Sequence, residues 1–261
     1  TLFARLGADL VICSRNHERL TKATEYFKRF GGRVLTEVMS IREPEQVEDL
    51  MDRTFAEYGR LDYLINNAGG QFAQDAIDIP YKGWRAVIDT NLNGSWYMMQ
   101  NAAKRWRERG QPGSIITITA EVWRGIMQMA HTAASRAGVI YLTKTLAVEW
   151  APYRIRVNTV APGIIESSGF NNYADEGRST FYNSGPMKRP GHVMDIAEAC
   201  VYAVIGGMAG YLLGQAGAHL LTHYHLLPGL TLNYSSLAAV ASTALVMGVV
   251  LLSTVYPAWQ A

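Results

Sequence analysis

Charge of either sign is missing from residues 199–261: all 24 Lys and Arg and all 22 Asp and Glu lie at or before Glu198. A water-exposed domain of ordinary size interleaves charge with its apolar stripes, so this absence splits the chain into 1–202 and 203–261, written for different surroundings. Cysteine is scarce as well. Cys13 and Cys200 are too few and too far apart for a disulfide framework, and no cluster of histidines supplies a metal site. A reducing compartment, cytoplasmic for the first part, fits that usage. No basic run rises above a solvated helix face, and a net charge of +2 gives no argument for nucleic acid as a partner. No signal or transit peptide is visible, and Leu2 to Asp9 read as the end of a helix rather than the start of a domain, so the chain reads as a fragment.

What is present before residue 200 is an alternation of short apolar runs with amphipathic stretches. Leu10 to Cys13, Arg33 to Val38, Leu61 to Ile65, Ser114 to Thr119 and Ile155 to Val160 have the composition of strands buried on both faces. Between them, Leu20, Ala23, Phe27 and Phe30 recur at helical spacing, and Pro44 to Phe55, Asn91 to Arg109 and Ala133 to Trp150 read as further helices. Alternating βαβα argues for an α/β, Rossmann-like, doubly wound parallel sheet covered by helices. In such sheets ligands bind beyond the carboxyl ends of the strands. There the sequence turns small or polar: Ser14-Arg15-Asn16, Asn66-Asn67-Ala68-Gly69-Gly70 and Ala161-Pro162-Gly163.

Four motifs appear in order: Asn66-Asn67-Ala68-Gly69, Asn91-Leu92-Asn93-Gly94, Arg154-Ile155-Arg156-Val157-Asn158 and Pro162-Gly163. Over residues 1–200 this pattern resembles the short-chain dehydrogenase/reductase family. Asn67 to Phe72 and Ala137-Gly138-Val139 are most similar to its reductases of enoyl- and dienoyl-CoA thioesters. The resemblance implies a nicotinamide cofactor held by Ser14, Arg15, Asn67, Ala68, Gly69, Pro162, Gly163, Ile165 and Ser167. Small residues at Ala68 and Gly69 let the backbone approach a dinucleotide, and a cation at Arg15, where no Asp or Glu stands, favours NADP over NAD. The family's Gly-rich loop and first strand find no counterpart here, which implies weak NADPH binding by this span.

Family catalysis uses an Asn, a Ser, a Tyr and a Lys. Asn91 matches the first, Thr119 keeps a hydroxyl near the second, and Thr132 and Arg136 stand at the Tyr and Lys positions. Tyr141 and Lys144 offer a nearby substitute pair. Yet Tyr141 lies five positions past Arg136, a rotation of about 140° around the helix, so the two cannot both point squarely at one pocket. Reduction of a conjugated C=C in an acyl thioester, or another small lipid-like substrate, tolerates loss of the Tyr better than carbonyl reduction does, because the developing enolate mainly needs hydrogen-bond donors. The alternatives are a catalytically impaired scaffold, or a fusion with a membrane segment. Met127, Met129 and His131 read as apolar packing, and 168–190 as a substrate lid. The long helices resemble those that pair subunits of a homo-oligomer in the family.

Residues 199–221 and 236–256 are long enough and apolar enough to form a membrane-spanning helical hairpin. They resemble the last membrane helices of FtsX-like ABC-transporter permeases, which implies membrane association through the tail.

Overall fold

The computed structural model describes residues 1–167 and 189–203, and the chain divides into two compact units, Thr1–Ala197 and Glu198–Ala261. In the first unit the elements run α1 (Leu2–Arg5), β1 (Leu10–Ser14), α2 (His17–Lys28), β2 (Val34–Val38), α3 (Pro44–Tyr58) and β3 (Tyr63–Asn66). Then follow α4 (Tyr81–Ile88), α5 (Ser95–Glu108), β4 (Gly113–Ile118), α6 (Ala130–Glu149), β5 (Ile155–Val160) and the short pair β6 (Ile165–Glu166) and β7 (Gly191–His192). Every strand pair is parallel: β1 with β2, β3 with β4, β4 with β5, and β6 with β7. This is the expected βαβα alternation, with helices making the crossovers from β1 to β2, β3 to β4 and β4 to β5.

Local chemistry sets the element ends. Asn16 caps α2, its side-chain oxygen accepting the Arg19 N–H at 2.9 Å. Pro44 opens α3 and Gly59, at φ 72°, closes it in the left-handed conformation that an L side chain resists. The middle strand β4 is buried along Gly113 to Thr117 because both its neighbours and helices on both faces cover it. One apolar core joins α3, α5 and the strands, centred on Val47, Met99, Trp106 and Ile115, each fully buried.

Two sequence expectations change. The stretch before Ser95 does not begin a helix at Asn91. Asp89–Gly94 is a π-helical turn that joins a separate helix, α4, to α5, so Asn91 lies inside a widened turn rather than at a terminus. The sheet is also interrupted: β1–β2 and β3–β4–β5 form two sheets with no ladder between β1 and β3. Beyond Ala203 the apolar hairpin expected of 203–261 lies outside the described residues, and among the described residues no helix is long and apolar enough to cross a membrane.

Candidate functional site

The turn after β3 is fastened to α6 by polar contacts that succeed one another along the chain. At Gly69 the Cα rests against the guanidinium of Arg136, leaving no room for a side chain. At Gly70 the carboxamide of Asn91 grips both backbone groups of one residue: Oδ1 accepts the Gly70 N–H at 2.9 Å and Nδ2 donates to the Gly70 carbonyl at 3.0 Å. The same Nδ2 reaches the Ser135 hydroxyl at 3.3 Å. At Phe72 the ring meets the His131 imidazole edge to face, with centroids 4.4 Å apart. The π turn makes the middle contact possible, since it turns the Asn91 side chain, fully buried, into the space between Gly70 and α6.

The N-terminal half of α6 is correspondingly polar inside. His131, Thr132 and Ser135 are all buried. Ser135 donates to the Thr132 carbonyl, and Arg136 donates from Nη1 to the Ile118 carbonyl at 2.8 Å, at the end of β4. The Arg136 Nε is buried and has no partner among the described residues, nor does any described carboxylate form an ion pair with this guanidinium. Burial lowers its pKa, because a desolvated cation has lost hydration that no counter-ion replaces. The cluster is rich in donors and carries a positive charge, the arrangement that receives an oxygen acquiring negative charge.

Of the residues the sequence pointed to, Asn91, Gly69 and Arg136 come together. Thr119 is close in sequence to Ile118 but its hydroxyl is engaged, donating to the Val160 carbonyl at 3.2 Å, so it faces into the sheet rather than offering its proton to a substrate. Tyr141 is 67% exposed and Lys144 lies over its ring at 4.4 Å. That pair occupies the outer face of α6, apart from Arg136, as five residues of helical rotation require. Ser135 and His131 belong to the cluster although sequence reasoning assigned Ser135 no role and His131 only a packing one. The available signal was their placement one turn apart, and one residue before Thr132 and Arg136.

For a dinucleotide, Asn67, Ala68 and Gly69 form an exposed turn at the carboxyl end of β3, and Gly70 and Gly163 face open space. Pro162 and Gly163 follow β5, and the Pro162 carbonyl accepts the Glu121 N–H at 2.9 Å, tying that turn to the end of β4. Ile165 lies in β6, followed by exposed Ser167. At the end of β1, Arg15 is exposed, while Ser14 accepts the Asn16 N–H and so shapes the turn that carries Arg15. Open backbone thus marks the turns after β3 and β5, and among the described residues no carboxylate forms an ion pair with Arg15.

Relatives place this arrangement. The family model described as enoyl-(acyl carrier protein) reductase matches residues 1–217, past residue 202 where charge alone set the boundary. A probable 2,4-dienoyl-CoA reductase of Bacillus subtilis is 36% identical over 217 residues, 81% of this chain and 85% of that protein. Among solved structures, a short chain dehydrogenase from Bacillus anthracis superposes with a TM-score of 0.73 at 39% identity, covering 77% of this chain and 81% of that one. ElxO, solved with NADP bound, superposes with a TM-score of 0.71 at 26% identity over 77% of this chain and 82% of its own. Nothing in these relatives supports the permease resemblance of the tail. With a family match across most of its length and the same fold in solved relatives, the chain belongs to the short-chain dehydrogenase/reductase family of NAD(P)H-dependent oxidoreductases.

Proposed function

We propose that this protein reduces the C=C bond of a conjugated acyl thioester, a 2-enoyl or 2,4-dienoyl thioester, with NADPH as the reductant. The observation that carries the reading is Arg136: a half-buried arginine, its Nε buried, with no carboxylate partner among the described residues, beside the Gly69 turn and the end of β4. An uncompensated buried charge costs several kcal/mol, and an anion formed at the site offsets that cost only while it exists. When bound, the nicotinamide supplies a hydride to the far carbon of the conjugated system. The remaining work is done by the chain. Arg136 holds the thioester oxygen as electron density moves onto it. Asn91 keeps the Gly69–Gly70 turn in register with α6, and water supplies the proton that completes reduction at the neighbouring carbon.

A carbonyl substrate would leave an alkoxide that needs an acid, and the position the family gives to Tyr holds Thr132, whose hydroxyl faces His131 Nδ1 at 3.3 Å. An enolate makes no such demand. The dienoyl-CoA reductase relative supports the same substrate class. The cofactor would be held by Asn67, Ala68, Gly69, Pro162, Gly163, Ile165 and Ser167 at the nicotinamide side and by Ser14 and Arg15 at the 2′-phosphate.

The test is loss of NADPH absorbance with an enoyl and a dienoyl thioester, at NADPH concentrations shown by titration to saturate the protein. Turnover is expected, with Arg136→Met lowering kcat by about 100- to 1,000-fold, the cost of removing one oxyanion donor, and Arg136→Lys recovering part of it. Arg15→Ala should narrow the preference for NADPH over NADH. No turnover with NADPH bound, or an Arg136→Met enzyme as fast as the parent, overturns the reading.

A further inference from the structure

His131 is fully buried, and the mechanism above does not use it. Its Nδ1 accepts the Thr132 N–H at 2.8 Å, one of the first-turn donors of α6 that has no carbonyl partner within the helix. A nitrogen that accepts there carries no hydrogen, so the neutral ring carries its proton on Nε2. Burial holds the pKa of this ring below the ordinary histidine value and so keeps it neutral. Its Nε2 is buried and has no partner among the described residues. The first turns of α6 therefore present two buried N–H groups without acceptors among the described residues, Nε2 of His131 and Nε of Arg136, on residues that both contact the loop 69–72. Phe72, 37% exposed, is the side chain that meets the imidazole, and its ring also fills the space beside Gly83.

Neither nitrogen has an acceptor among the described residues and both residues lie against the loop 69–72, so a ligand seated at that loop is a source of acceptors. The two residues are five positions apart, about 7.5 Å along the axis and about 140° around it, so they do not converge on a single oxygen. With Arg136 on the thioester oxygen, the acyl side of the substrate offers no second acceptor, because beyond the carbonyl it is hydrocarbon. The thiol side does: carrier thiols of the cysteamine type bear an amide carbonyl two methylenes beyond the sulfur.

We propose that His131 is a specificity-determining residue whose neutral Nε2–H donates to the amide carbonyl of the thiol arm of an acyl thioester, once Phe72 has moved off the ring. The contact is a hydrogen bond, with no bond made or broken. It rests on the thioester reading above for the identity of the ligand.

The two amide substitutions separate a cap from a donor. In His131→Asn the amide oxygen can still accept the Thr132 N–H while the distal donor is gone; in His131→Gln a distal N–H remains and the cap is lost. The probes are an enoyl thioester of N-acetylcysteamine and the same acyl group on propanethiol, which lacks the amide. The wild-type protein is expected to favour the first by about 10- to 100-fold in kcat/KM, since a site built to bond a polar group rejects the analogue without it. His131→Asn should bring the two within about threefold, and His131→Gln should keep most of the preference. Equal use of the two thioesters by wild type, or a preference that survives in His131→Asn, overturns the inference while turnover leaves the reductase reading in place. Should no thioester be turned over with NADPH bound, the reductase reading falls, and calorimetric binding of the two saturated thioesters decides the His131 contact by itself. Tighter binding of the amide-bearing one that is lost in His131→Asn supports it, and equal binding overturns it.

Discussion

Gly69 and Arg136 occupy one another's space: a Cβ on Gly69 would overlap Nη2 of the guanidinium and come within 3.2 Å of the Asn91 Oδ1. Gly69 thus brings backbone, cation and carboxamide together. Gly69→Ala must displace Arg136, whose other nitrogen is bonded to the Ile118 carbonyl. Overpacking of this kind costs about 1–3 kcal/mol. We expect a lower unfolding midpoint in urea and a kcat reduced by at least about tenfold, since displacement moves the charge away from the reacting oxygen.

Asn91 spends both ends of its side chain on Gly70 and Ser135, so it acts by positioning the turn. Asn91→Asp replaces the donor that faces the Gly70 carbonyl with an acceptor. The expected loss is about 1–3 kcal/mol of stability, with activity falling in parallel as the Gly69–Gly70 turn separates from α6. Thermal unfolding followed beside initial rates checks it, and Asn91→Gln should not rescue either, because its longer arm overfills a fully buried space.

Away from the site, Gly113 and Trp106 provide a control. Trp106 is fully buried and donates from Nε1 to the Leu61 carbonyl at 2.6 Å, and a Cβ at Gly113 would fall inside its indole. Gly113→Ala should cost about 1–3 kcal/mol in denaturant titration. Below its unfolding transition the variant should turn over substrate at the parent rate.

The buried His131 also sets a pH dependence. Its folded pKa lies below 6.5, the value it has when exposed, because burial disfavours the charged ring. As pH falls below about 6.5 the unfolded chain takes up a proton that the native state refuses, so stability is complete above that pH and declines below it. Between about pH 7 and about pH 5, the melting temperature of the parent should fall more steeply than that of His131→Asn, which has no titrating ring. Parallel curves would show that the ring titrates alike in the folded and unfolded states, so that burial does not shift it.

The strands were legible because strands covered on both faces are short apolar runs, and the glycine-rich and proline-containing turns after them announced the binding edge. Helix α4 was not, because its eight residues contain Gly83 and carry exposed Tyr81 and Trp84. The π turn was hidden for a different reason. One extra residue in a helical stretch leaves the apolar spacing on either side intact, so nothing in composition marks where it sits. That Arg136 stands at the family's lysine position was visible from its place before Ala137-Gly138-Val139, and its approach to Gly69 was not. The rotation between Arg136 and Tyr141 was visible too, and the exposed ring beneath Lys144 agrees with it. What no pattern carries is the absence of an acceptor at the His131 Nε2, since that depends on every neighbour brought from elsewhere in the chain.

The widened turn at Asp89–Gly94 makes chain length itself part of the active centre. A helix that loses the surplus residue of a π turn can close into regular α-helix while the flanking segments, here α4 and α5, keep their own packing. Shortening this segment by one residue would therefore leave the flanking helices in place and withdraw the carboxamide from Gly70, so insertions and deletions here reach the Gly69–Gly70 turn without touching it.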